Sequence, residues 1–189
     1  ILSHSSVAIA GLGGLGSNIA MYLARAGVGH LHLVDFDKVD ITNLNRQQYD
    51  IADLGTLKTD ALTKNIKRFN PFIEITSQCV KVNEDNAAEI FGGYKIVCEA
   101  FDKAENKAML VNSILSECGD TKIVSGSGMA GFGSSNTIVT RKINDRFYLC
   151  GDTKSDMNDG LALAAPRVAI CAAHEANMIL RLLIGEKEV

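Results

Sequence analysis

A short polar segment after the second apolar run of the chain carries three residue types that suit ribose and phosphate chemistry. Asp35 ends that run, and Asn43 and Arg46 follow three residues apart, so a helical turn would place them on one face. A carboxylate at this position accepts ribose hydroxyls, whereas a guanidinium presents a fork of donors to phosphate oxygens. Together these residues indicate a nucleotide whose phosphates take part in chemistry.

A glycine-rich loop precedes this segment and supplies the other half of a nucleotide site. Residues 11–16 read Gly-Leu-Gly-Gly-Leu-Gly, so Gly11, Gly13 and Gly16 satisfy the spacing G-x-G-x-x-G, with Gly14 between them. Glycine lets a phosphate approach the backbone, and the N-terminus of the following helix adds partial positive charge. The loop predicts nucleotide binding without naming the nucleotide, and the alternative is a packing turn with no ligand.

Three further charged residues complete the candidate site. Lys58 follows Gly55 near the start of a predicted helix, where it is either a solvated lysine or a second phosphate ligand. Asp102 follows a buried strand, where a carboxylate can hold Mg²⁺ between phosphates or cap the next helix. Asp37 is counted among the nucleotide-binding candidates, although Asp37 and Asp40 also suit loop capping.

Alternating strands and helices must position these residues. The predicted strands cover residues 6–10, 30–34, 73–80, 96–99 and 122–125. The predicted helices cover residues 15–26, 56–70, 84–91 and 104–118. This alternation predicts a Rossmann-like, doubly wound α/β fold with a mainly parallel sheet. A hairpin within 137–149, a polar, mobile loop at 151–160 and a closing helix at 166–184 are expected to form a small C-terminal antiparallel extension.

Composition is that of an ordinary globular protein. Residues 1–189 are expected to form a single domain, with 1–125 as the nucleotide-binding half and 126–189 as the closing elements. The net charge of −3 argues against nucleic acid or an acidic membrane as a partner, and no apolar run reaches the ~18 residues of a membrane span. Because the chain begins at Ile1 rather than Met, we expect further residues upstream.

Five widely spaced cysteines bear on compartment and on metal binding. They form no C-x-x-C pair, so no zinc site is expected, and free thiols indicate a reducing cytoplasm. Cys79 and Cys98 lie in strand-like runs and are expected to be buried. The four histidines show no metal-ligand spacing, and His30 and His32 are expected to be ordinary strand residues.

In this order, the motifs resemble those of the ThiF/MoeB/HesA family, the bacterial relatives of ubiquitin-activating enzymes. The resemblance covers nearly the whole chain: G-L-G-G-L-G-S, V-D-F-D-x-V, N-L-N-R-Q, D-L-G-x-x-K, E-A-F-D-K-A-E-N-K-A and S-G-S-G-M-A-G. The run through N-L-N-R-Q is its most specific part. The short length, the segment E-A-F-D-K-A-E-N-K-A and the missing zinc cysteines make the chain most similar to the short ThiF-type branch.

The resemblance implies ATP-dependent adenylation of the C-terminal glycine of a ubiquitin-like, ThiS-like sulfur carrier protein, with release of pyrophosphate, in thiamine-type sulfur transfer. It also implies a homodimer with one ATP site per subunit. Carried onto this sequence, it makes Arg46, Lys58 and Asp102 the catalytic residues. The glycine loop and Asp35 would hold the nucleoside, Asn43, Arg46 and Lys58 the phosphates, and Asp102 the Mg²⁺.

Some positions depart from the family pattern. Lys103 stands where family members often have asparagine after the strand-end aspartate, and Lys107 occupies a nearby arginine position. The two C-x-x-C zinc pairs are missing. The family's arginine from the neighbouring subunit's N-terminal helix would precede Ile1.

The C-terminal part is expected to guide the carrier protein. Residues 126–133 and 151–160 are rich in glycine and would frame an extended Gly-Gly tail, the alternative being ordinary turn chemistry. Some relatives carry a reactive cysteine in the loop that corresponds to 151–160. This loop has none, which leaves Cys150 as the candidate for a part in sulfur transfer.

Two other functions stay open at this point. An NAD-dependent oxidoreductase would explain the glycine loop and Asp35, but it would leave Arg46, Lys58 and Asp102 unused. A non-catalytic module that binds a ubiquitin-like protein would keep the fold and release no pyrophosphate.

Overall fold

The structure, a computed structural model that describes residues 1–156 and 160–189, contains a seven-stranded sheet in this part of the chain. The strands are β1 (Ser6–Ala10), β2 (His30–Val34), β3 (Glu74–Gln78), β4 (Ile96–Glu99), β5 (Lys122–Gly126), β6 (Val139–Lys142) and β7 (Phe147–Gly151). Their spatial order is β3-β2-β1-β4-β5-β7-β6, and all neighbouring pairs are parallel except β6 with β7. The sheet order therefore reverses direction between β1 and β4.

Helices cover both faces of this sheet. They are α1 (Gly14–Arg25), α2 (Lys58–Lys67), α3 (Glu84–Phe91), α4 (Ala104–Glu117) and α5 (Ala165–Leu183). Side chains alternate along a strand, so Val7 and Ile9 of β1 join the core under α1, α2 and α5, whereas Ala8 and Ala10 join the core under α3 and α4. The predicted Rossmann-like, doubly wound α/β fold with a mainly parallel sheet is confirmed.

The C-terminal strands differ from the prediction in one respect. The hairpin exists, but β7 also pairs in parallel with β5, so it continues the main sheet and only β6 runs antiparallel. The backbone N–H groups of Ile123 and Ser127 donate to the carbonyls of Arg146 and Cys150, which satisfies the edge of β5. Burial of Tyr148 and Cys150 in β7 favours this central place.

The bounds of several elements also differ from the predicted ones. Helix α2 begins at Lys58 rather than at residue 56, because Leu57 has φ −58° and ψ 137°, outside the helical region. Strand β3 spans 74–78 rather than 73–80, and it is an edge strand with mostly exposed side chains. The prediction that Cys79 is buried is wrong, since it lies beyond the end of this edge strand and is exposed. Cys98 is buried as predicted.

The polar loop predicted at 151–160 includes residues 157–159, which lie outside the described residues. Ahead of them, Asp152 Oδ2 lies 2.6 Å from Arg167 Nη2 of α5. In the described ranges, no helix is both long and apolar enough to cross a membrane.

Candidate functional site

The glycine loop lies at the point where the sheet order reverses. In open α/β sheets, ligands bind in the crevice beyond the carboxyl ends of the strands at such a point. Gly11 has φ +90°, and a side chain there would meet the Ala100 carbonyl oxygen at 2.9 Å, so the loop after β1 touches the loop after β4. A Cβ on Gly16 would overlap the Gly11 carbonyl. Because glycine has no side chain, α1 can start directly against the loop. Gly13 and Gly14 are the N-cap and first residue of α1.

Asp35 ties the end of β2 to this loop. Its Oδ2 accepts the backbone N–H of Leu12 at 2.6 Å, and its Oδ1 accepts that of Asp37 at 2.8 Å. Burial raises the pKa of the Asp35 carboxyl, and the charge of Lys58 and the two backbone hydrogen bonds oppose that rise. Each carboxylate oxygen keeps a lone pair, so the predicted contact with ribose hydroxyls is compatible with this role.

Lys58 is fixed beside Asp35 through Asp37. Its Nζ lies 3.1 Å from Asp37 Oδ2, and its backbone N–H donates to the Asp37 carbonyl. Lys58 is 6% exposed, so the alternative of a solvated lysine is wrong. Its ammonium retains donors beyond the one that Asp37 accepts. Phosphate binding by Lys58 and nucleotide binding by Asp37 stay predictions.

Asn43 and Arg46 lie in one tight turn, as their spacing predicted. A 3-10 helix spans Ile41–Asn43 and is closed by a capping box in which Asp40 accepts from Thr42 and Asn43 Oδ1 accepts from the Asp40 N–H. The capping role considered for Asp40 is therefore confirmed. The Arg46 N–H donates to the Asn43 carbonyl at 3.2 Å. The turn thereby fixes the backbone position of Arg46.

The Arg46 side chain lies against the glycine loop. A Cβ on Gly14 would be 3.6 Å from both Cγ and Nε of Arg46. Its Nη1 donates to the Thr42 carbonyl and to Asn45 Oδ1, whereas its Nε is buried and has no hydrogen-bond partner among the described residues. A buried donor without a partner is costly, so its position at a glycine loop fits an anionic ligand such as a phosphate.

Gln47 is a further candidate site residue, which the sequence did not indicate. It is buried, its Oε1 has no partner within the described residues, and its Nε2 would lie 3.8 Å from a Cβ on Gly13. Tyr49 and Asn18 support the same region: the Tyr49 hydroxyl donates to the Leu12 carbonyl at 2.8 Å, and Asn18 Nδ2 donates to the Arg46 carbonyl at 3.0 Å. The string N-L-N-R-Q contained Gln47, but nothing in it indicated burial.

Asp102 lies in the loop between β4 and α4, two residues after the Ala100 that touches Gly11, and its side chain is exposed. The N-cap of α4 is Lys103, without a side-chain capping bond, so the capping alternative for Asp102 is wrong. Within residues 1–156 and 160–189, no group of three His, Cys, Asp or Glu side chains could hold a metal ion. A lone carboxylate that shares the ion with nucleotide oxygens is a donor set that Mg²⁺ accepts, so Asp102 fits the role.

Cys150 lies in the core rather than on a surface. It is fully buried in β7, and burial, with the neighbouring Glu175, raises the pKa of its thiol. A thiol in this state is a poor nucleophile. The structure therefore gives no support to Cys150 as a sulfur-transfer residue.

A cavity of about 440 Å³ lies in the C-terminal part, lined by both segments expected to frame a carrier tail. Gly131 and Gly133 come from one segment and Asp152 from the other. Phe132, between the two glycines, is 86% exposed. Passage of a tail through this cavity stays a prediction.

Comparison with known proteins places the chain in a family. The ThiF family model matches residues 1–189. The adenylyltransferase and sulfurtransferase UBA4 of Scheffersomyces stipitis is 39% identical over 129 residues, which cover 68% of this chain and 29% of that protein. The adenylyltransferase and sulfurtransferase MOCS3 of Dictyostelium discoideum is 33% identical, covering 99% of this chain and 45% of that protein. The chain thus spans less than half the length of these curated relatives.

Solved structures of similar shape agree on the fold. The E. coli tRNA N6-threonylcarbamoyladenosine dehydratase TcdA, solved in complex with AMP and with ATP, has a TM-score of 0.87 at 22% identity, covering 97% of this chain and 87% of that chain. E. coli MccB, solved with ATP, has a TM-score of 0.74 at 21% identity, covering 98% and 58%. These identities are low and speak for the fold alone, but the family model matches the chain from end to end, and the protein belongs to the ThiF family.

Proposed function

We propose that this protein adenylates the C-terminal glycine of a ubiquitin-like sulfur carrier protein at the expense of ATP, releasing pyrophosphate. The observation that carries the proposal is the convergence of separate segments on the glycine loop. Asp35 holds Leu12, Lys58 is fixed through Asp37, and Arg46 lies against Gly14. Two cations, Arg46 and Lys58, near a glycine loop of the kind that binds phosphate suit a polyphosphate better than a dinucleotide.

The reaction requires little acid–base chemistry from the protein. A C-terminal carboxyl has an ordinary pKa near 3.5 and is ionised at neutral pH, so it attacks without a general base. A carboxylate oxygen forms a bond to the α-phosphorus, the bond between the α-phosphorus and its bridging oxygen breaks, and pyrophosphate leaves with the electron pair. No proton changes place in this step.

Charge is the obstacle that the protein must overcome, because an anion approaches a polyanion. Arg46 and Lys58 offset that repulsion and stabilise the charge that builds on the leaving pyrophosphate. Asn43 and Gln47 add amide donors beside them, and Asp102 would hold a Mg²⁺ ion that neutralises phosphate charge. Catalysis then rests on positioning and electrostatics.

The proposed partner is a carrier of ubiquitin fold that ends in Gly-Gly, ThiS-like and serving thiamine-type sulfur transfer, and the proposed working form is a homodimer in the cytoplasm. The names of the UBA4 and MOCS3 relatives, which couple adenylyltransferase with sulfurtransferase, support a sulfur-carrier partner. The cavity beside Phe132 offers a path for an extended tail. The five free cysteines suit a reducing compartment.

The test is carrier-dependent exchange of labelled pyrophosphate into ATP, with purified carriers that end in Gly-Gly. We expect exchange with one carrier and its loss when the two glycines are removed. Exchange with none, from a protein that binds ATP in the presence of Mg²⁺, would reject adenylation and favour a binding module. Binding of NAD in preference to ATP would favour an oxidoreductase.

A further inference from the structure

A buried carboxylate joins four parts of the chain next to the candidate site. Glu99, the last residue of β4, is fully buried. Its Oε1 accepts the Phe101 N–H at 2.7 Å, and its Oε2 accepts the Ser125 hydroxyl of β5 at 2.5 Å. Lys107 of α4 donates to both oxygens, at 3.3 Å and 3.1 Å. Glu99 therefore links β4, the loop that follows it, β5 and α4.

The loop held by Glu99 also forms one wall of the glycine loop. The Ala100 N–H donates to the Ala10 carbonyl at 2.8 Å, and Ala100 and Phe101 lie so close to Gly11 that a side chain there would meet both. Asp102 is the next residue along the chain. The position of Asp102 relative to the glycine loop thus depends on the bond between Glu99 and the Phe101 N–H.

Lys107 provides the charge that keeps Glu99 in this place. A buried carboxylate is stable only when it is paired and fully hydrogen-bonded. Lys107 is the cation that forms an ion pair with Glu99, at 3.1 Å, and its side chain is 19% exposed. Without it, the carboxylate of Glu99 would be buried and unpaired, and a turn of this side chain towards water would weaken its bonds to Phe101 and Ser125.

We propose that Lys107 is a positioning residue that acts through Glu99 to hold the 100–102 loop, and with it Asp102, against the glycine loop. The inference rests on the proposed function, in which Asp102 would hold the Mg²⁺ of bound ATP. It assigns to Lys107 no contact with substrate. A lysine that served only the stability of the fold would not change the effect of Mg²⁺ on nucleotide affinity.

Four variants separate positioning from stability. Lys107→Met leaves a buried charge on Glu99, whereas Glu99→Met/Lys107→Met replaces the ion pair by apolar groups of similar size, which often preserves or raises stability. Lys107→Arg keeps the charge and serves as the rescue variant. Lys95→Met removes an exposed lysine just before β4 and serves as the control. Lys95 lies at the amino-terminal end of this strand, whereas the candidate site lies at its carboxyl end.

The measurements are ATP affinity by calorimetry, with and without Mg²⁺, and the thermal midpoint of each variant. We expect the double variant to fold and to lose about tenfold or more of the affinity gained from Mg²⁺, the usual effect of removing a partner behind a metal ligand. Lys107→Arg should keep most of the increase in ATP affinity that Mg²⁺ gives the wild type. Lys95→Met should match the wild type. A double variant with a wild-type Mg²⁺ effect would overturn the inference.

Amide hydrogen exchange of Phe101 provides a second readout that needs no ligand. In the wild type this N–H is held by Glu99, so its exchange should accelerate about tenfold or more in Lys107→Met or the double variant while core amides stay protected. Unchanged Phe101 exchange would contradict the proposal. Absence of pyrophosphate exchange with intact Mg²⁺-dependent ATP binding would reject only the proposed function, whereas a wild type that binds no ATP would reject both.

Discussion

Substitution of Arg46 or Asp102 tests the proposed chemistry most directly. Arg46 lies against Gly14 with a buried Nε that has no partner within the described chain, and Asp102 belongs to the loop that touches Gly11. We expect Arg46→Ala and Asp102→Ala each to lower the rate of carrier adenylation by more than ~100-fold, as loss of one preorganised electrostatic group does. Rates of pyrophosphate release under carrier saturation measure this.

Arg68→Ala provides the matched control for Arg46→Ala. Arg68 is an exposed arginine whose only ion pair within the described residues, to Asp50, is 4.0 Å long, so its removal should leave the rate unchanged. Near-normal turnover by Arg46→Ala or Asp102→Ala would remove that residue from the proposed machinery.

At the scale of residues, local patterns in the sequence indicate the candidate side chains, but they do not show how those side chains are held. The glycine spacing, Asp35 and the pair Asn43 and Arg46 follow from local patterns, because each lies in or next to one turn. The ion pair of Lys58 with Asp37 joins residues 21 apart, and the burial of Gln47 depends on packing between loops. Such contacts have no signature in a single sequence.

At the scale of elements, the contact between α1 and the glycine loop requires residues without side chains. A Cβ on Gly16 would overlap the Gly11 carbonyl, which is backbone and cannot rotate away. We expect Gly16→Ala to lower the thermal midpoint and to weaken ATP binding by at least about tenfold, since misplaced binding groups commonly cost that much. Differential scanning fluorimetry and calorimetry measure the two effects.

Gly93→Ala is the control for this change. A Cβ on Gly93 would meet nothing within 4 Å, and Gly93 does not have a positive φ, so the variant should resemble the wild type. If Gly16→Ala kept both stability and ATP affinity, the close approach of α1 to the loop would not be a requirement of the site.

Elements were predictable to the degree that their signals are local. β1, β2, α3 and β4 have the predicted bounds, since each is an apolar or capped run between turn residues. The pairing of β7 with β5 was not predictable, because hairpin signals specify a neighbour in sequence and not which edge of the sheet the hairpin joins. The exposure of Cys79 was missed for the same reason, as an apolar run does not reveal an edge strand.

At the scale of the whole molecule, Glu175 of α5 makes stability depend on pH. It is fully buried, hydrogen-bonded by the thiols of Cys98 and Cys171, and near the charges of Lys107 and Glu99. Burial raises the pKa of Glu175 from 4.5 to about 8. The folded protein therefore binds a proton that the unfolded chain releases, and this contribution to stability is lost as pH rises from about 4.5 through 8.

Glu175→Gln should remove that dependence, because the amide is neutral at every pH. We expect the thermal midpoint of Glu175→Gln to exceed that of the wild type by an amount that grows from pH 5 to pH 8 and then levels off. Glu188→Gln, at a glutamate whose side chain is 84% exposed, serves as the control and should show a constant difference. A constant difference for Glu175→Gln as well would show that Glu175 is ionised in the folded protein throughout this range.

The place of α5 in the chain has a consequence for how the protein is made. This helix covers one face of the sheet and packs along α1, burying Val168, Cys171, Ala172, Ala176 and Ile179, yet it is encoded after all seven strands described above. While the chain leaves the ribosome, residues 1–125 are complete in sequence before they have the helix that closes their core. We expect the nascent chain to expose an apolar surface until residue 183 has emerged, so ATP binding would come only after synthesis of this segment and a protecting chaperone would act before it.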